Sequence, residues 1–91
     1  MKPLYSAVVK VDTPRVIALQ FARPLSPETA IKIQNLDQNE GIMVLEIPKH
    51  IGKLGYYVVF SDNWEKTTVA KECVSILVSE GFAESDIFAD F

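Results

Sequence analysis

Histidine and cysteine are nearly absent: the 91 residues hold one of each, His50 and Cys73. A single cysteine excludes a disulfide framework and any multi-cysteine zinc site. A single histidine excludes most histidine-based metal sites, so no metal and no cofactor are expected. Long apolar runs are missing too. None approaches the roughly 20 residues a helix needs to span a bilayer, so no membrane association is expected. After Met1-Lys2-Pro3 the chain alternates instead of forming an apolar core, which argues against a secretory signal and for a cytoplasmic protein. Positive charge is short: nine Lys and Arg against twelve Asp and Glu give −3, which disfavours a duplex-DNA binder. No phosphate-cradling glycine motif of the Walker or dinucleotide type occurs. What is there is an ordinary globular composition, 48% hydrophobic and 23% charged, long enough for one domain spanning residues 1–91.

Hydrophobic periodicity predicts the elements. From Leu4 to Val11, Tyr5, Ala7, Val9 and Val11 share one face of a strand. Asp12-Thr13-Pro14-Arg15 reads as a turn. From Val16 to Ala22, Ile17, Leu19 and Phe21 share a face, and Val16, Ala18 and Gln20 share the other. These two segments form either a hairpin or one long bent strand. Ser26-Pro27-Glu28 is a helix start, with Ser26 as cap, Pro27 in the first position and Glu28 at the positive helix end. That helix runs to about Asn39, where Gly41 supplies a left-handed stop. Ile42 to Ile47 is apolar except for Glu46, which suits a central strand covered on much of both faces. Tyr56 to Phe60 is aromatic and β-branched throughout, a strand with Tyr56, Val58 and Phe60 on one side and Tyr57 and Val59 on the other. Asp62 and Glu65 have capping-box spacing before a helix whose apolar face holds Val69, Ala70, Cys73, Val74, Ile76 and Leu77. Gly81 ends it, and Phe82 is placed to pack back on Leu77. The tail, 83–91, is a docking arm, a short helix or a last strand.

This order predicts an α+β fold: an antiparallel sheet of four strands, five if the tail adds one, with two helices packed on one face. It is either ferredoxin-like (βαββαβ) or a duplicated ββα unit. A shift of thirty-nine residues lays Ile17, Leu19 and Phe21 on Tyr56, Val58 and Phe60, and lays Ala30 and Lys32 on Val69 and Lys71. In either version the second sheet face is open, or buried in a partner.

Few residues point to chemistry. Cys73 falls mid-helix on the apolar face, where burial raises a thiol pKa and silences a nucleophile. The acids form no pair that the sequence singles out. No catalytic residues are assigned, and the protein is expected not to be an enzyme. The connection Pro48 to Gly55 gathers Lys49, His50 and Lys53 with two glycines, which marks a candidate anion or nucleic-acid contact. Charge is uneven: residues 1–57 carry a net +2 and residues 58–91 a net −5. The second half therefore offers a candidate docking surface for a basic partner, with Trp64, Glu65, Glu72, Asp86, Phe88, Asp90 and Phe91 as its residues.

Two resemblances follow from these segments. Lys53-Leu54-Gly55-Tyr56-Tyr57-Val58-Val59-Phe60 resembles the octapeptide of the RNA recognition motif family. Lys53, Tyr57, Val58 and Phe60 match its first, fifth, sixth and eighth positions; Leu54, Gly55 and Tyr56 depart from it. The resemblance implies that Tyr57 stacks a base on the open sheet face. The companion aromatic of the first strand is missing, since Val16-Ile17-Ala18-Leu19 offers none. The acidic tail ending in Phe91 resembles the docking tail of bacterial single-stranded-DNA-binding proteins.

The function expected from all this is a non-catalytic protein-binding module: a small regulator, inhibitor or accessory subunit. Val16, Ala18, Tyr57 and Val59 leave one sheet face apolar enough to demand a partner, and a homodimer is the simplest solution. The alternative is RNA or single-stranded nucleic-acid binding through Tyr57, Lys49, His50 and Lys53. A third reading, by analogy of fold alone, is a dimer that senses a small ligand.

Overall fold

The computed structural model describes residues 7–48 and 54–90. Two hairpins supply four strands, and each hairpin is followed by a helix. Strand β1 (Ala7–Thr13) turns through Pro14 and Arg15 into β2 (Val16–Phe21), so the segment is a hairpin and not one bent strand. Helix α1 (Pro27–Gln34) continues as a 3-10 turn over Asn35–Gln38. Strands β3 (Ile42–Glu46) and β4 (Leu54–Phe60) form the second hairpin, helix α2 (Lys66–Glu80) follows, and β5 (Ile87–Asp90) ends the described chain.

The strand order is β3-β4-β2-β1-β5. Neighbours run antiparallel except β1 and β5, which are parallel. The sheet is therefore mixed, and the expectation of an antiparallel sheet is corrected. The cause is directional. A strand that follows α2 must run as β4 does, opposite to β2. Because β1 already occupies the edge of β2, the tail pairs with β1 instead, and with β1 it is parallel.

Local signals account for the helix ends. Ser26 caps α1 by accepting from the Thr29 backbone N–H at 3.4 Å, with Pro27 in the first position. Gly41 and Gly81 are the two described residues with positive φ, at 86° and 113°, where a side chain would be strained. Beyond Gly81 the Phe82 N–H reaches back to the Leu77 carbonyl at 3.3 Å, and Phe82 is buried, as its spacing implied. Helix α2 starts later than its sequence suggests. Its N-cap is Glu65, without a side-chain capping bond, so Asp62 does not cap it.

One core holds sheet and helices together. It joins Val9, Ile17, Leu19, Val58 and Phe60 of the sheet to Ile33 of α1 and Val69, Ala70, Cys73 and Leu77 of α2. Full burial of each large aliphatic side chain contributes roughly 1.5–3 kcal/mol. All these sheet residues share one pleat parity, so both helices cover the same face. The tail contributes Ile87 to this core, while Phe88 points to the opposite parity and is 40% exposed.

Candidate interaction face

The uncovered face of the sheet is set by register. Ala18 of β2 lies opposite Tyr57 of β4 and Lys10 of β1, and Leu45 of β3 lies opposite Tyr57. Val8 pairs with Phe88, and Lys10 with Asp90, across β1 and β5. Alternation then gives this face Val8, Val16, Ala18, Tyr57 and Val59 at its centre. Met43 and Leu45 form one margin, Phe88 and Asp90 the other. Ala18 is buried by its neighbours yet lies outside the helix-side core. Met43 is 52% exposed and Leu45 45%.

Parity anticipated Val16, Ala18, Tyr57 and Val59 as residues of this face. Met43 and Leu45 were missed. The apolar run Ile42–Ile47 reads as a central strand, but β3 is an edge, and only its even-numbered side packs against the core. The alternation Met43, Leu45 was present in the sequence. What hid it was the equally apolar Ile42 and Val44 between them.

The nucleic-acid candidates separate. Tyr57 stands on the open face, half-buried between β2 and β3. Lys49, His50 and Lys53 lie outside the described residues, as does Phe91. Lys10 is the one cation among the described residues of this face, and its register partner is Asp90.

The acidic docking residues fall at two places. Trp64 and Glu72 line a cleft with Leu36 and Ile42, and the Trp64 indole donates to the Glu40 carbonyl at 2.8 Å, beside the β3 margin. Glu65 caps α2 nearby. Asp86, Phe88 and Asp90 belong to the turn and strand at the opposite, β5 margin.

Among the described residues, two titratable groups are displaced from their ordinary ranges. Burial pushes the Cys73 thiol up to about 12, helped by the nearby Glu72 charge. Glu80 goes the other way. Its carboxylate accepts from the Thr29 hydroxyl, the Ser26 backbone N–H at 3.0 Å and the Ser26 hydroxyl at 2.7 Å. These bonds, with the Arg23 guanidinium at 3.7 Å, hold its pKa down to about 2. The cluster ties the end of α2 to the start of α1, a structural task. Among the described residues no group of three or more His, Cys, Asp or Glu is placed to hold a metal ion. No described helix is long and apolar enough to cross a membrane.

Further concavities flank the helices. A cleft of about 190 Å³ lies between Phe21, Leu25, Ala30, Ile47 and Tyr56. A groove of about 470 Å³ runs between Val74 and Val78 of α2 and Ile87 and Ala89 of β5. Glu46 also lines the first, and Lys71, Ser75 and Glu84 also line the second. No protein-family model matches the chain, and no curated protein and no solved structure is significantly similar to it.

Proposed function

We propose that this protein is a non-catalytic protein-binding module, a small regulator or accessory subunit that docks through its open sheet face. The observation that carries this reading is the exposure of Met43, Leu45 and Phe88 on a face whose centre is Val8, Val16, Ala18, Tyr57 and Val59. Exposed apolar surface of this extent is costly in water and marks interaction sites. The element order β2-α1-β3-β4-α2-β5 supports our reading of the fold as a variant of the ferredoxin-like pattern, with β1 added between β2 and β5.

The test is photo-crosslinking in the native host extract, with a crosslinking residue at position 45 on the sheet and, separately, at position 31 on α1. Ile31 is 54% exposed and serves as the comparison. A protein adduct from position 45 and none from position 31 is expected. Adducts that do not distinguish the two positions overturn the reading.

Nucleic-acid binding is the second reading, supported by Tyr57 on the open face. It requires binding to mixed single-stranded RNA that weakens steeply with salt and drops on Tyr57→Ala.

A further inference from the structure

We infer that the occupant of the open sheet face is a second copy of this chain, packed sheet against sheet. This rests on the docking reading above and names its partner.

Width comes first. Exposed apolar side chains stand on both margins, Met43 and Leu45 on β3 and Phe88 on β5, with three strands between them. Five strands at about 4.8 Å spacing make the face about 24 Å wide, and strands of this length make it about 20 Å long. A narrow ligand, such as one peptide strand or one helix, covers one margin and leaves the other wet. A second five-stranded sheet covers both. The plan area is about 500 Å², more once side-chain relief is counted, against roughly 800 Å² per partner in a standard interface.

Charge comes second. An isologous contact sets a surface against itself, so any net charge on it repels its copy. The chain as a whole carries −3, and the helix-side residues Glu65, Glu72 and Glu84 share in that excess. The open face holds little of it. Its one described cation, Lys10, is the register partner of Asp90, and apart from Asp12 at the turn end of β1 the remaining described residues of the face are uncharged. A basic protein or a nucleic-acid backbone has few charges to pair with here. A largely uncharged apolar sheet needs none, and the chain's own face is one. Two such sheets stack about 10 Å apart with strands roughly 30° from alignment, which brings the margins of each copy into contact with the other.

The experiment is sedimentation velocity on the pure full chain across a concentration series, with Leu45→Lys, Phe88→Lys and Ile31→Lys beside it. A species of about 20 kDa is expected against the 10.2 kDa monomer. Leu45→Lys and Phe88→Lys, at opposite margins of one face, each weaken it by about tenfold or more, and Ile31→Lys leaves it unchanged. Circular dichroism checks that each variant folds. A crosslink from position 45 in the otherwise native chain gives an independent answer: an adduct of two chains mapped to open-face residues supports the inference, and one mapped to the helices overturns it. Loss of the dimer with Leu45→Lys but not Phe88→Lys overturns it in favour of edge pairing through β3. A monomer whose position 45 captures a different protein overturns the second copy and leaves the docking reading intact. A monomer with no protein adduct that co-migrates with RNA sinks both.

Discussion

The Glu80 carboxylate, in the last turn of α2, closes the first turn of α1 by accepting from both the backbone N–H and the hydroxyl of Ser26. A negative charge is unfavourable at its own helix's C-terminus and favourable at the N-terminus of another, and this geometry gives it the second environment. Its pKa is lowered from 4.5 to about 2, so the folded state binds the proton less well than the unfolded chain. The stabilisation is complete above the unfolded pKa and disappears as pH falls through the folded one. Glu80→Gln is therefore expected to lower the melting temperature at pH 7. The difference from wild type should shrink between pH 4.5 and 2 and vanish below that. A pH series of thermal melts checks it, and a deficit constant from pH 7 to pH 2 contradicts the ionic account.

Gly55 in β4 is held by close approach, not by φ. A Cβ built there comes within 1.8 Å of the Leu19 carbonyl oxygen in the neighbouring strand. The obstacle is backbone, which cannot rotate away, so β2 and β4 must separate locally. Gly55→Ala is expected to cost about 3 kcal/mol or more, in the range of severe overpacking. Gly81→Ala meets no atom within 4 Å and bears only its left-handed φ of 113°, a cost of about 1–2 kcal/mol. Urea unfolding of the two variants should rank Gly55→Ala well below Gly81→Ala.

What the sequence made legible was local. The cap at Ser26, proline at the first helical position, the stop at Gly81 and the return of Phe82 each depend on residues within one turn. Strand parity was equally local and marked Tyr57, Val59, Val16 and Ala18 as one face. What escaped was set by partners far along the chain. Whether Ile42–Glu46 is central or an edge depends on which strand comes to lie beside it. The parallel pairing of β5 depends on β1 having taken the edge of β2. The start of α2 shows the same override: the Ser61 N–H bonds the Gly41 carbonyl at 2.8 Å and the Trp64 indole bonds Glu40. That turn is held to the β3 margin, which displaces the capping box that Asp62 and Glu65 would otherwise form.

The indole contact is itself measurable. Trp64 is the only tryptophan, so intrinsic fluorescence reports this margin alone. Trp64→Phe keeps most of the apolar contact and deletes the 2.8 Å bond to the Glu40 carbonyl. The expected loss is about 1 kcal/mol, typical of one neutral hydrogen bond. A Trp64→Phe variant as stable as wild type in urea would mean that water replaces the indole at Glu40.

Cys73 supplies the sharpest test of the core. Its side chain is fully buried in α2 among the residues shared by sheet and helices, and burial raises the thiol pKa to about 12. Thiolate is the reactive form, so at pH 8 the folded protein presents almost none, and no route to the sulfur without opening the core. A disulfide exchange reagent is therefore expected to leave the native chain unlabelled for hours and to label it fully in denaturant. The labelling rate should track the unfolding equilibrium across a urea series. Cys73→Ala should cost about 1–2 kcal/mol, because removing the sulfur leaves a small void in a close-packed interior. Cys73→Ser should cost more than Cys73→Ala, since the hydroxyl is desolvated in the same place. Rapid labelling of the native protein, at a rate indifferent to urea, would mean that α2 lifts from the sheet without global unfolding, and the single core described above would have to be divided in two.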